Sequence, residues 1–316
     1  MSSPLGVLGI LAGAALIVAG AELFAEHLAA ASVRLGVSSF ALALLLAGAE
    51  PEELATTVTG SLRHVPAVAF GDVVGSNVAM CLVALGVGAV VAPLPFGRKV
   101  RLYALLGLPV GVISIAVAWD GHVGRFGGTV LVATYCAYVA MIWVRERQPP
   151  TLGEVGEVEA SAQDVAPARS RRDVVLVLAG VIGMVAGALL LVEGLRKVTN
   201  VEATQTDLSL TIVGFATAFE LVVLAWSAAR RGISEAVVAA VVGSYAYNAT
   251  MSLGVAALAR PLRIADAGSL HVPLLLMVGA FGAVLAIALP RGRLTRRQGV
   301  ALLGLYPLFV GYVVLR

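Results

Sequence analysis

Charge is scarce in this sequence. Asp, Glu, Lys and Arg make up 13% of the 316 residues, against 59% that are hydrophobic. So little polar surface cannot cover a water-soluble globule of that length, and the composition predicts a protein that faces lipid. Cysteine is nearly absent as well. Cys81 and Cys136 both sit inside apolar runs; they supply neither a disulfide framework nor a metal cluster, and both are expected to act as small buried hydrophobes. The histidines, His27, His64, His122 and His271, include no H-E-x-x-H, the spacing an intramembrane zinc protease needs. Ala69-Phe-Gly-Asp72 is a weak echo of an intramembrane aspartyl protease, but no second aspartate lies in the interior of a membrane span to share its proton. These absences argue against an enzyme and against a bound cofactor. The net charge is +3, yet the basic residues are scattered singly rather than gathered in a stripe, so no nucleic-acid partner is expected.

What is abundant is long apolar runs. Runs long enough to cross about 30 Å of hydrocarbon lie at 4–24, 36–60, 66–92, 101–119, 125–144, 173–193, 206–228, 233–257, 270–289 and 298–315. No basic residue precedes the first run, and Glu22, Glu26 and His27 follow it, so it reads as a retained span rather than a cleaved signal. The one long polar stretch, 145–172, mixes Pro, Ala, Ser and charges without apolar periodicity and reads as a linker between two halves. Alternate loops divide the Lys and Arg residues fifteen to seven. Cytoplasmic loops carry the excess of positive charge, which places both termini outside and 145–172 in the cytoplasm of an inner-membrane, multi-pass protein.

An internal repeat is visible in the chain. Val18 to Leu28 recurs as Val185 to Leu195 with seven of eleven positions identical and Glu26 opposite Glu193. With one residue of slippage the register continues, placing Glu52 opposite Glu220, Arg63 opposite Arg231, and Val73-Val-Gly-Ser76 opposite Val241-Val-Gly-Ser244. The second copy starts five spans after the first, and an odd count sets the copies in opposite orientation. The predicted fold is an all-α membrane protein of ten transmembrane helices in two inverted five-helix repeats, 1–144 and 173–316, joined by the 145–172 linker.

Acids occupy the interior of these spans, where a bilayer tolerates them least. Glu50, Glu52 and Glu53 surround Pro51 in the second run, Asp72 lies in the third and Glu220 in the seventh, with no Lys or Arg inside any of the three. Each ionised carboxylate at mid-bilayer costs on the order of 3 kcal/mol, so a bound cation or protons must offset them. Several carboxylates with hydroxyls and carbonyls make the oxygen shell that hard cations such as calcium prefer. Repeat symmetry selects Glu52 and Glu220 as the leading pair. A continuous helix puts Glu50 and Glu53 on one face and Glu52 about 100° away from Glu53, unless Pro51 and Gly48 break it. Asp72 and Ser76, four residues apart, share a face, and Gly71 and Gly75 permit close approach of another helix. Glu22, Glu26 and Glu193 lie near span ends and are expected to be solvated at the interface.

These residues resemble the cation/calcium antiporter superfamily, whose two repeats carry a G-T-S-x-P-E-like motif followed by G-N-x-x-G-S-N. The counterparts here are Ala47-Gly-Ala-Glu-Pro-Glu52 with Gly71-Asp-Val-Val-Gly-Ser-Asn77, and Phe215-Ala-Thr-Ala-Phe-Glu220 with Ala239-Ala-Val-Val-Gly-Ser-Tyr245. The resemblance implies ten helices and a calcium ion held by the two motif glutamates. The departures are specific. Gly48 and Ala49 replace the hydroxyl residues of the first motif, and the second keeps only Thr217 beside Ala216, which depletes sodium ligands. Asp72 has Ala240 as its partner, so the site is asymmetric. The gapless alignment selects Glu52 over Glu53 as the first-repeat ligand; a gapped alignment selects Glu53.

The candidate ion ligands are thus Glu52, Glu220, Asp72, Glu53, Glu50, Thr217, Ser76 and Ser244. Ser76, Ser244, Asn77 and Asn248 also fit a role as hydrogen bonds between helices. The expected function is secondary active exchange of calcium, or a similar divalent cation, for sodium, with proton coupling as the alternative. The expected partners are the bilayer and inorganic cations, with no obligate protein partner. A protein that binds an ion without moving it remains a third class, separable by flux in liposomes.

Overall fold

A computed structural model describes residues 4–34, 49–147, 171–232 and 234–316. Within them lie ten helices: α1 (Pro4–Arg34), α2 (Pro51–Leu62), α3 (Pro66–Val91), α4 (Arg98–Ala118), α5 (Arg125–Glu146), α6 (Arg171–Val198), α7 (Glu202–Arg230), α8 (Ser234–Ala259), α9 (Gly268–Ala288) and α10 (Arg296–Leu315). All but α2 are long and apolar enough to cross a membrane, nine among the described residues. Lipid offers backbone groups no hydrogen-bond partner, so the chain satisfies them within helices. The second expected span, 36–60, is described only from Ala49 onward, and most of the 145–172 linker lies outside the described residues.

Local chemistry sets the helix starts. Pro51 and Pro66 occupy the first positions of α2 and α3, where a missing N–H costs nothing and a fixed φ suits the helix. α10 begins with a capping box in which the Thr295 N–H donates to Gln298 Oε1 at 2.8 Å. Three helices contain a wider π turn, at Met80–Ala84 in α3, Ser209–Val213 in α7 and Tyr247–Ser252 in α8.

Two-residue strands clip the helix ends together. β1 (Leu94–Pro95) pairs antiparallel with β4 (Arg293–Leu294), and β2 (His122–Val123) pairs with β3 (Leu262–Arg263). The loops before α4 and α10 therefore share one side of the molecule, and the loops before α5 and α9 share a side. At one end of α6 Asp173 meets His27 of α1 at 3.1 Å, and at the other Glu193 meets Arg63 and Arg196 at 3.3 and 3.4 Å. Glu22, Glu26 and Glu193 are not buried, as their positions near span ends predict.

α1 and α6 pack through glycines. A Cβ on Gly13 would lie 2.6 Å from the Gly187 carbonyl, one on Gly6 2.8 Å from that of Gly194, and one on Gly20 2.8 Å from that of Gly180. Numbers rise on α1 as they fall on α6, so the two helices run antiparallel. α3 and α8 are the most buried helices and form the centre of the bundle. Cys81, in α3, is buried as expected; Cys136 is not. It is exposed because α5 lies at the periphery of the bundle, with about a third of its span buried.

Candidate functional site

α2 starts at Pro51 and leaves Glu50 as its non-helical N-cap, with φ −119° and ψ 87°. Helical spacing therefore does not govern Glu50, which is the local break that Pro51 makes possible. Glu52 and Glu53 follow in the first turn, where the positive end of the helix dipole favours carboxylates. All three are no more than 1% exposed, as is Asp72 of α3.

Hydroxyls from three helices fix these acids. Ser76 Oγ donates to Glu53 Oε2 at 2.9 Å, Thr217 Oγ1 of α7 donates to Asp72 Oδ1 at 2.8 Å, and Ser244 Oγ of α8 donates to Glu50 Oε1. The Asp72 contact depends on how closely α3 meets α7. A Cβ on Gly75 would meet the Leu210 carbonyl, and one on Gly214 would stand 2.6 Å from the Gly75 carbonyl carbon. Glycine at both positions lets the backbones touch.

Several of the other carboxylate oxygens lack donors among the described residues. Neither oxygen of Glu52, nor Glu53 Oε1 or Asp72 Oδ2, accepts a hydrogen bond from any described residue. Glu50 and Glu220 lie within electrostatic reach of Glu52, and Asp72 and Glu52 within that of Glu53. The acids thus fall into two adjoining sets: Glu50, Glu52 and Glu220 with Ser244, and Glu53 and Asp72 with Ser76 and Thr217. Glu52, Glu53 and Asp72 form no ion pair among the described residues; the ion pairs that are found lie toward helix ends.

All eight residues singled out from the sequence meet in this region. Glu220 differs from the others in being only partly buried, on the flank of α7. Among the described residues no three His, Cys, Asp or Glu side chains stand in a preformed metal cage. The π turns of α3, α7 and α8 widen the backbone beside the acids, a distortion frequent at functional sites. Asn77 and Asn248 turn instead to the sulfurs of Met277 and Met80, at 3.5 and 3.9 Å.

Two residues near the acids had no signal in the motif reading. Tyr247, in the α8 π turn, lies within electrostatic reach of Glu52, Glu50 and Glu53, and Tyr135 of α5 packs edge-on against it at 5.3 Å. The spacing from Ser244 to Tyr247, one helical turn, is the sequence feature that points to the first of them.

A family model described as sodium/calcium exchanger protein matches residues 5–144 and 173–315. An uncharacterized membrane protein of Methanocaldococcus jannaschii is 23% identical over 303 residues, covering 96% of this chain and 93% of its own. Sodium/calcium exchanger MaX1 of Methanosarcina acetivorans is 32% identical over 87 residues, 27% of this chain and 25% of its own. Among solved structures, the sodium-calcium exchanger NCX_Mj soaked with sodium and strontium has the same fold, with a TM-score of 0.61, 21% identity and 98% of each chain covered.

Proposed function

This chain belongs to the sodium/calcium exchanger protein family, and from that premise we propose that it exchanges calcium, or a similar divalent cation, for sodium across the cytoplasmic membrane. Membership makes it a multi-pass cation antiporter and not an enzyme. One observation carries the finer reading: Glu50, Glu52, Glu53 and Asp72 are buried together at the centre of the bundle, and the last three have no basic partner among the described residues. Buried charge of one sign costs several kcal/mol per group unless an opposite charge joins it. A divalent cation meets that need. In this reading Glu52 and Glu220 hold it from the two halves, Glu50 and Ser244 flank it, and Glu53, Asp72, Ser76 and Thr217 form the adjoining set.

Two inverted repeats, 1–144 and 173–316, are part of the same proposal, with 145–172 a cytoplasmic linker and both termini outside. Several features support it. The π turn at Met80–Ala84 recurs at Tyr247–Ser252, about the 168 residues apart that separate Glu52 from Glu220. α1 and α6, which open the two halves, are antiparallel. The strands exchange partners symmetrically, β1 with β4 and β3 with β2. Rocking of one repeat against the other would then open the central site to each side in turn.

A second reading replaces sodium with protons. It is favoured by the adjacency of Glu53 and Asp72, two buried carboxylates that can share a proton in place of a metal ion. Calcium efflux from loaded liposomes, measured under a sodium gradient at fixed pH and then under a pH gradient without sodium, separates the two. Sodium-driven efflux is expected, and efflux driven by pH alone would overturn the sodium assignment.

A further inference from the structure

The second motif ends Gly-Ser-Tyr245 where the first ends Gly-Ser-Asn77, and the two residues meet their surroundings differently. Asn77 reaches α9, its amide on the sulfur of Met277 at 3.5 Å. Tyr245, fully buried in α8, stacks flat on Phe281 of α9, with ring centroids 4.1 Å apart and planes 8° from parallel. Its phenol also reaches α4. A Cβ on Gly111 would collide with the Tyr245 hydroxyl and stand 3.1 Å from the Cζ that carries it. The hydroxyl thus rests where a side chain of α4 would be, and the Gly111 backbone forms its seat. That hydroxyl has no hydrogen-bond partner among the described residues, so shape is what holds the ring. The residue before it is Ser244, whose Oγ donates to Glu50 Oε1.

We propose that Tyr245 is a positioning residue of the cation site: seated over Gly111 and stacked on Phe281, it fixes the rotation of α8 and so aims the Ser244 hydroxyl at Glu50. The inference rests on the reading of Glu50 and Ser244 as flanking the cation. Consecutive helical residues stand about 100° apart on one backbone, so a clamp on residue 245 also sets the direction of residue 244. A turn of α8 by about 20° would carry the Ser244 oxygen about 1 Å, enough to spoil a hydrogen bond. The same turn would drive the longer phenol into α4 or off the face of Phe281. Glycine at 111 is what admits the ring to α4. With the shorter Asn77 at the matched position of the first motif, this clamp acts on the site from α8.

The test is calcium binding to the purified full chain by equilibrium dialysis, for Gly111→Ala, Tyr245→Leu, Ser244→Ala, Gly279→Ala and Glu52→Gln. Each of the first two is also combined with Ser244→Ala, and Gly111→Ala with Tyr245→Phe. Gly279 of α9, where an added methyl meets nothing within 4 Å, is the control. Gly111→Ala and Tyr245→Leu are each expected to weaken calcium about threefold to tenfold, the range for one lost hydrogen bond, and Gly279→Ala to leave it unchanged. Removing the hydroxyl makes room for the methyl, so Gly111→Ala/Tyr245→Phe is expected to bind calcium more tightly than Gly111→Ala alone. In the Ser244→Ala background neither Gly111→Ala nor Tyr245→Leu is expected to cause further loss, because all act through one contact; Tyr245→Leu carries this comparison if Gly111→Ala does not fold. Unchanged calcium affinity in both Gly111→Ala and Tyr245→Leu, with Glu52→Gln strongly impaired, would overturn the Tyr245 assignment and leave the site reading standing. No recovery in Gly111→Ala/Tyr245→Phe, or a full additional loss in the Ser244→Ala background, would overturn it as well. Normal calcium binding by Glu52→Gln would remove the site reading, and this inference with it.

Discussion

Glu52 sits 1% exposed with two donor-free carboxylate oxygens, and its energetics turn on what neutralises it. Changing Glu52 or Glu220 to Gln removes a charge while keeping shape, so transport is expected to fall by an order of magnitude or more while expression holds. Glu26→Gln, at an exposed position of α1, is expected to change little. Near-normal flux in both Glu52→Gln and Glu220→Gln proteins would remove them from the site. Thr217→Val keeps volume but takes away the hydroxyl that holds Asp72; about 1 kcal/mol of stability and part of the flux should go with it, read by thermal unfolding and by uptake. Most of the acid cluster was legible in the sequence, since carboxylates inside apolar runs are conspicuous against their cost. Tyr247 was not, because an aromatic in an apolar helix carries the same signal whether it faces packing or a site. Cys136 was misplaced for a related reason. An apolar run has no mark that separates a lipid face from a core face.

Helix α3 meets α7 along glycines, and there the side chain that is absent decides the geometry. Gly214→Ala would put a methyl 2.6 Å from the Gly75 carbonyl carbon, forcing the helices apart and pulling Thr217 from Asp72. Overpacking of this kind costs about 1–3 kcal/mol, so a lower unfolding temperature and loss of transport are expected. Gly279→Ala and Gly304→Ala, with nothing within 4 Å of the added methyl, should be neutral or slightly stabilising, since Ala outranks Gly in a helix by about 1 kcal/mol. Loss of function in all three alike would show that no special contact exists at Gly214. The close approach at Gly71 and Gly75 was readable from the glycine spacing, and nine expected spans coincide with described helices to within several residues at most ends. The π turns were not readable. One extra residue in a turn leaves an apolar run apolar, and a two-residue strand is too short for any period to emerge.

For the whole molecule, topology and coupling are the claims at stake. The fifteen-to-seven division of basic residues agrees with loops that share a side: residues 94–95 pair with 293–294, and 122–123 with 262–263. In a protein freed of Cys81 and Cys136, a single cysteine near residue 160 is expected to resist an impermeant thiol reagent in intact cells and to react once the membrane is opened. Labelling from outside would reverse the orientation. The proposed repeat rests on a pattern that recurs within the chain, whereas no pattern marks the coupling ion, because sodium, calcium and protons all answer to the same oxygens. The most direct measurement is calcium uptake into proteoliposomes loaded with sodium, comparing the unaltered chain with Glu52→Gln. Uptake that requires the sodium gradient and collapses in Glu52→Gln is the predicted result; uptake that ignores the gradient, or persists in Glu52→Gln, would contradict the account.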